Sequence, residues 1–345
     1  MIRSFTAGLC LLFCNALAAQ SQNEELETVL VSGEVPGPGL WRVSQGDHVL
    51  WILGSYVPLP KDMKWRATEV ERRVAESQEV IYPGGANILP DIGLFRALTL
   101  LPALLKAGTN PDGGTLKDVL PPETYARWRV LKEKYIDGDD DVERWRPAVA
   151  GDILFGEAMK KAGFGYSVRV AQVVNQAAKK NHIPIRTDPI RTRKVKVENP
   201  RGMLKGVQKM KLPDVDCFTR ALERVEPEVE NLKLRANAWA RGDIAALREA
   251  SRDALPPENC IVQLQRALEN GEIETPAQAK QMIDEMTRQE KEMRHDVEAH
   301  WLFTLRAAVS RNRSTFAVVP TLELLRPDGF LSKLRDLGYE VESPS

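Results

Sequence analysis

The residues of this chain that could do chemistry are few and scattered. Its four histidines are His48, His182, His295 and His300. His295 and His300 stand five apart, which at ~100° per residue puts them about 140° apart around a helix. They therefore do not share a face as the histidines of a zinc-binding His-Glu-x-x-His turn do, and Met293 to Asp296 reads as a surface stretch. His182 closes a predicted helix, where a cation meets the negative end of the helix dipole. Asp137-Gly138-Asp139-Asp140-Asp141 has the acidity of a calcium loop. It lacks the glycine at the sixth position and the closing glutamate at the twelfth, so it reads as a solvated turn with a helix N-cap at Asp140 or Asp141. Gly84-Gly85 does not follow a phosphate-loop pattern, and no Gly-x-Ser-x-Gly elbow marks a serine nucleophile. Cys217 and Cys260 lie in a helical section. A disulfide between them and a pair of thiols both fit the sequence.

The elements that must position these residues begin after an N-terminal segment with its own logic. Met1-Ile2-Arg3 is a short positive start, Ala7 to Leu17 is mostly apolar, and Ala18 or Ala19 ends a small-residue cleavage pattern. This is the order of a secretory signal peptide, residues 1–19. A lipoprotein signal ending at Cys14 is disfavoured by the bulky Phe13 before it. The expected location is periplasmic or secreted, where an even pair of cysteines can oxidise. No later stretch is long and apolar enough to span a bilayer. Lys plus Arg and Asp plus Glu both number 48, so net charge gives no reason to expect a nucleic-acid partner.

Residues 20–39 read as an extended leader broken at Pro36-Gly37-Pro38-Gly39. Leu40 to Ser44 and Val49 to Leu53 form a predicted hairpin around Gln45-Gly46-Asp47. A helix follows over Trp65 to Ser77, then a strand over Glu79 to Tyr82. Ile92 to Lys106 is nearly all apolar and is expected to be a buried helix. Further helices are predicted over Pro121 to Tyr135, Asp141 to Lys161 and Ser167 to Asn181, with a strand over His182 to Thr187. Ile190 to Lys211 is rich in Lys and Arg, with Glu198 its only acid; it reads as a solvated surface. A long helical section runs from Asp214 to Arg311. The chain closes with a strand over Thr315 to Val319, a helix over Pro327 to Leu337 and a strand over Tyr339 to Glu342. The expectation is an α/β (α+β) fold: one domain over 40–345, with a mixed sheet built from both ends of the chain and a large helical insertion over about 200–311.

Five segments in this order resemble the TraB/GumN family, which includes the Tiki-type metallopeptidases. They are Leu40 to Val43 leading through Trp51-Ile52-Leu53-Gly54-Ser55 to Leu59-Pro60; Gly114 through Leu120-Pro121-Pro122-Glu123 to Tyr125; Arg146-Pro147 with Ala158 to Gly163; Ala238-Trp239-Ala240-Arg241-Gly242-Asp243; and Phe316 to Val319 with Pro327-Asp328-Gly329 and Leu334 to Val341. The resemblance implies a mixed-sheet core like that of erythromycin esterases and ChaN-type haem-binding proteins. It also implies a divalent-metal site: a Gly-x-x-His after an early strand, a second after a late strand, and a glutamate after the strand between them.

This sequence departs from that site at all three points. The early motif reads Gly54-Ser55-Tyr56-Val57, with valine for histidine. The glutamate position is Pro83. The late motif reads Pro320-Thr321-Leu322-Glu323, with glutamate for histidine. Valine and proline side chains cannot ligate a metal, and Glu323 alone does not make a site. Arg186, where relatives often carry glutamate, is expected to pair with Glu323 in the vacated pocket. Ser55 lies beside that pocket with no histidine identifiable as its base. The reading is an exported, non-catalytic relative that needs no cofactor and binds an envelope protein, a peptide or a polysaccharide. The alternative is a hydrolase with rearranged ligands, using manganese or another divalent metal.

Overall fold

The computed structural model describes residues 34–344 except 111–112, 166–168, 198, 210–211, 253–259 and 274–276. The expected signal segment, most of the leader and Glu198 lie outside the described residues. In chain order the elements are β1 (Glu34–Val35), β2 (Leu40–Gln45), β3 (His48–Ser55), β4 (Leu59–Pro60), β5 (Lys64–Trp65), α1 (Thr68–Ala75), β6 (Val80–Tyr82), β7 (Ala86–Asp91), α2 (Leu94–Gly108), α3 (Leu116–Val119) and α4 (Pro122–Ile136). A 3₁₀ turn over Asp140–Arg144 precedes α5 (Pro147–Lys161), β8 (Phe164–Gly165), α6 (Arg169–Lys180), β9 (Ile185–Thr187), β10 (Arg191–Lys196) and α7 (Pro200–Lys209). Then come α8 (Asp214–Ala240), α9 (Ile244–Arg252), α10 (Cys260–Glu269), α11 (Ala277–Arg311), β11 (Ser314–Pro320), α12 (Thr321–Leu325), α13 (Phe330–Asp336) and β12 (Glu340–Glu342).

Six strands form the main sheet in the order β12-β2-β3-β11-β6-β9. The first three are antiparallel neighbours, whereas β3, β11, β6 and β9 run parallel. The sequence explains the buried centre. β11 is apolar at every position from Phe316 to Val319, and all four are buried, as a strand covered on both faces requires. Period 2 then sorts the side chains. Phe316 and Val318 join Val70, Val74, Val170, Val174 and Trp239 on one face. Ala317 and Val319 join Trp301, Leu305, Leu331 and Leu334 on the other. The β2–β3 hairpin turns at Gly46, whose φ of 61° suits glycine.

A polar clasp holds the N-terminal ends of the parallel strands. Glu79, buried at the start of β6, accepts from Arg311 and from the Asn312 amide. Gln78 Oε1 accepts from the Arg313 amide at 2.6 Å, and His48 Nδ1 lies 2.7 Å from the Asn312 carbonyl oxygen.

The helices α3, α4 and α5, which precede β9, and α8, which follows it, carry a second core, in which Trp128, Leu131, Leu154 and Phe218 are fully covered. Trp128 Nε1 and Lys132 Nζ both donate to Glu143 Oε1, at 3.0 and 2.7 Å, so one oxygen of this buried carboxylate has its partners, whereas Oε2 has none among the described residues. α8 joins the two cores. Phe218 to Val229 pack in the helical layer, and Leu232 to Trp239 pack against the sheet. Cys217 and Cys260 are bonded, linking α8 to α10 with Cα atoms 5.6 Å apart. The turn after α4 is capped by Asp139, which accepts from the Asp141 amide at 2.9 Å. The cap is thus one residue earlier than Asp140.

One sequence expectation about burial needs correction. α2, expected to be buried, shows most of its surface: Leu100 and Ala107 are covered, but Phe95 is 86% exposed and Leu98 60%. The reason is that α2 belongs to a small side lobe. β7 pairs only with β10, in a two-stranded parallel sheet apart from the main one, and α2 packs chiefly on α7. One narrow face is all that this lobe can bury. The basic run 190–211, read as a solvated surface, is mostly exposed among its described residues, and it also supplies β10 and α7.

The disulfide closes a loop of 43 residues. Chain-entropy arguments give such a closure about 4 kcal/mol. Thermal melts with and without dithiothreitol should differ accordingly, and the melt of a Cys217→Ala, Cys260→Ala double variant should match the reduced protein and be insensitive to reductant.

Candidate functional site

Four parallel strands put their C-terminal ends on one edge of the sheet, where ligands bind in open α/β architectures. Each end carries one of the positions singled out by sequence: Gly54 to Val57 after β3, Pro83 after β6, Arg186 and its neighbours at β9, and Pro320 to Glu323 after β11.

Gly54 is fixed by its surroundings. A Cβ there would stand 2.6 Å from Thr321 Oγ1 and 2.9 Å from the Trp41 ring, and its carbonyl accepts from Trp239 Nε1 at 2.8 Å. Ser55 Oγ donates to the Val319 carbonyl at 3.4 Å, a bond that ties β3 to β11 and engages no base. Tyr56 points inward and is 5% exposed. Burial pushes its hydroxyl above the usual phenol range, and the Arg235 guanidinium beside it pulls the other way. Arg235 in turn donates to Glu228 at 2.7 Å, with both side chains buried. Val57 turns outward and is 53% exposed.

The expected pairing of Arg186 with Glu323 is not the arrangement found. Arg186 Nε lies 3.7 Å from Asp188, and Glu323 lies 3.4 Å from Arg326, one turn along. β6 separates β9 from β11 in the sheet. Both side chains are also substantially exposed, so each takes a local partner.

Asp188 is the site residue that sequence reading missed. It follows the edge strand β9, is 4% exposed, and its amide donates to the Tyr82 carbonyl at 3.1 Å. Its Oδ1 accepts from Thr304 Oγ1 at 3.4 Å. Oδ2 has no hydrogen-bond partner among the described residues, and faces His300 Nε2 at 3.8 Å. Gly84 makes room for this corner, because a Cβ there would stand 2.6 Å from the Pro189 carbonyl and 3.2 Å from the Asp188 Cβ. The only local signal was an Asp-Pro break after a strand. His300 arrives from α11, far along the chain, and nothing in its spacing announces the contact.

Among the described residues, no three His, Cys, Asp or Glu side chains come close enough to hold a metal ion together. Glu323 is engaged with Arg326, and Asp188 with His300 forms a separate pair at the edge strand. The residues present do not fit the three-ligand site that the resemblance implied, and no chemical step through a metal follows from them.

A second concavity lies between α5, α8 and α10. It is a cavity of about 150 Å³ lined by Asp152, Arg220, Arg224, Glu228, Cys260 and Gln263, among others. Arg220 Nη2 donates to Gln263 at 3.0 Å. Burial pushes the Asp152 carboxyl up to about 6, against a hydrogen bond from the Cys260 amide. Glu228 lines this cavity and also holds Arg235 below Tyr56, so one carboxylate connects the cavity wall to the end of β3.

Compared with known proteins, residues 39–343 match the model of the TraB/PrgY/gumN family. No curated protein and no solved structure gives a match.

Glu228→Ala should cost about 3–5 kcal/mol in urea unfolding, because it leaves a buried guanidinium without its carboxylate. Replacing both partners, as Glu228→Leu with Arg235→Met, should recover most of that loss. The folded pKa of Asp152 is raised, so the native state holds a proton that the unfolded chain releases. Stability should therefore fall as pH rises from the unfolded value near 4 through 6. Solvent at the cavity mouth limits the effect to about 1 kcal/mol. Urea midpoints should show this slope, and Asp152→Asn should flatten it.

Proposed function

The chain belongs to the TraB/PrgY/gumN family, and from that premise we propose that it is an exported, non-catalytic member that works by binding a partner in the cell envelope. The observation that carries this reading is the chemistry of the sheet edge. Where a ligand set would stand, the strand ends present Val57, Pro83 and a Glu323 already paired with Arg326. Two of the three side chains offer no donor atom. The edge nonetheless stays accessible, with Val57 and Leu322 about half exposed. An accessible edge whose three motif positions supply only one donor group, already paired, supports recognition of a protein, peptide or polysaccharide over bond cleavage. Export rests on the signal-like order of residues 1–19. Its check is the N-terminal sequence of the protein recovered from the periplasm or medium, which should begin after Ala18 or Ala19.

A second reading has one observation in its favour. Asp188 and His300 meet at the same edge, and one carboxylate oxygen lacks a hydrogen-bond partner among the described residues. A hydrolase with rearranged ligands would draw on this pair and Glu323. Metal analysis by mass spectrometry, with thermal melts in Mn²⁺, Co²⁺ and Zn²⁺, separates the two. The binding reading expects no stoichiometric metal and no shift in the melt. One bound ion per chain with a raised melting temperature, lost in Asp188→Ala or Glu323→Ala, would overturn it.

A further inference from the structure

The exposed side of α2 has a shape and a charge environment that together point to one kind of partner. Phe95, Leu98, Leu101, Leu104 and Leu105 are all exposed, between 48% and 86%. At ~100° per residue they fan, with Pro102, over about half of the helix circumference. Single exposed apolar side chains need no explanation, but a contiguous apolar ridge marks an interaction site. Among the described residues, nothing covers this ridge.

The charge around it is mainly positive. Asp91 is the only carboxylate between residues 86 and 111. β10 and α7, which complete the lobe, present Arg191, Lys194, Lys196, Arg201 and Lys205 to solvent. Arg193 of the same strand is paired with Glu292 of α11. Leu98, Leu101, Pro102 and Leu105 fall at i, i+3, i+4 and i+7, the stripe of a helix that docks into a protein groove, but Phe95 and Leu104 widen it on both sides. A ridge that is apolar over half its circumference and bordered by cations suits a continuous apolar medium with a negative surface. No helix among the described residues is long and apolar enough to cross a membrane, so the fitting mode is attachment in the plane of the interface.

We propose that the lobe of β7, α2, β10 and α7 docks on an anionic lipid bilayer, with the α2 leucines at the acyl boundary and the basic strand and helix against the headgroups. The proposal depends on this surface alone and not on whether the sheet edge holds a metal.

The test is co-sedimentation of the protein lacking residues 1–19 with vesicles of phosphatidylcholine, with and without phosphatidylglycerol. The protein should partition onto the anionic vesicles and not onto the neutral ones. Raising salt from about 0.1 M to about 0.5 M should weaken partitioning several-fold by screening. Leu98→Ser with Leu101→Ser and Leu105→Ser should weaken it by at least about tenfold, and Lys194→Glu with Lys196→Glu should weaken it several-fold. Those side chains are exposed, so far-UV circular dichroism and the melting temperature of both variants should match the parent. Equal partitioning on neutral and anionic vesicles, or none on either, overturns the proposal. So does a dimer in light scattering that the triple leucine variant dissolves, since a second copy would then cover α2.

Discussion

The pairing of β11 with β3 and β6 is the constraint on which the rest of the molecule depends. The last long strand inserts between two of the first, in unbroken register with β3 from Ser314 opposite Val49 to Pro320 opposite Ser55. Four consecutive apolar residues of β11 are buried there, two on each face, and each contributes roughly 1–3 kcal/mol by burial. That gain must offset the entropy of closing a loop of more than 200 residues, a cost that grows only with the logarithm of length. The clasp of Glu79, Arg311 and Asn312 sits at the entry of the three strands and fixes where β11 begins. Everything between β6 and β11 can therefore vary in layout provided that it returns α11 to this point.

The same insertion makes the edge where a site can exist. With β3, β11 and β6 parallel and adjacent, Gly54 near the end of β3, Thr321 after β11 and Pro83 after β6 lie at one edge of the sheet. α8 reaches the edge from the helical layer and delivers Trp239 to the Gly54 carbonyl and Arg235 to the Tyr56 hydroxyl. The disulfide at the far end of α8 ties that helix to α10. The backbone of the edge is thus held by bonds that owe nothing to a metal ligand.

The strands at both ends of the chain were legible because alternation or continuous apolarity survives in short runs: Leu40 to Leu53 and Thr315 to Val319 both lie where their patterns place them. α2 was misread for a physical reason. Periodicity and composition report that Leu98, Leu101 and Leu105 avoid water in isolation, not whether the fold supplies a surface to cover them. β10 was hidden by its charge, since Arg191 to Lys196 alternates around a single buried Val195 and pairs with a strand that is equally exposed. The Arg186–Glu323 pairing failed because strand order, which sequence does not state, puts β6 between them. Asp188 and His300 meet only through the path of α11.

Gly54 and Val57, three positions apart at the same strand end, serve the fold differently. Gly54 is held by steric contact with Trp41 and Thr321 and by a hydrogen bond from Trp239; these contacts serve the sheet whether or not the residue three positions on is a ligand. A ligand histidine at Val57 would have no such second duty, since Val57 faces solvent and supports little packing. Loss of the donor there costs the fold almost nothing, whereas loss of Gly54 would force Thr321 and Trp41 to move. The glycine half of a metal motif can therefore outlast its histidine half. Had the vacated edge been absorbed into the core, Val57 and Leu322 would be covered; both stay half exposed. The edge is thus open at Val57 and Leu322, and neither Val57 nor Pro83 offers a donor atom there.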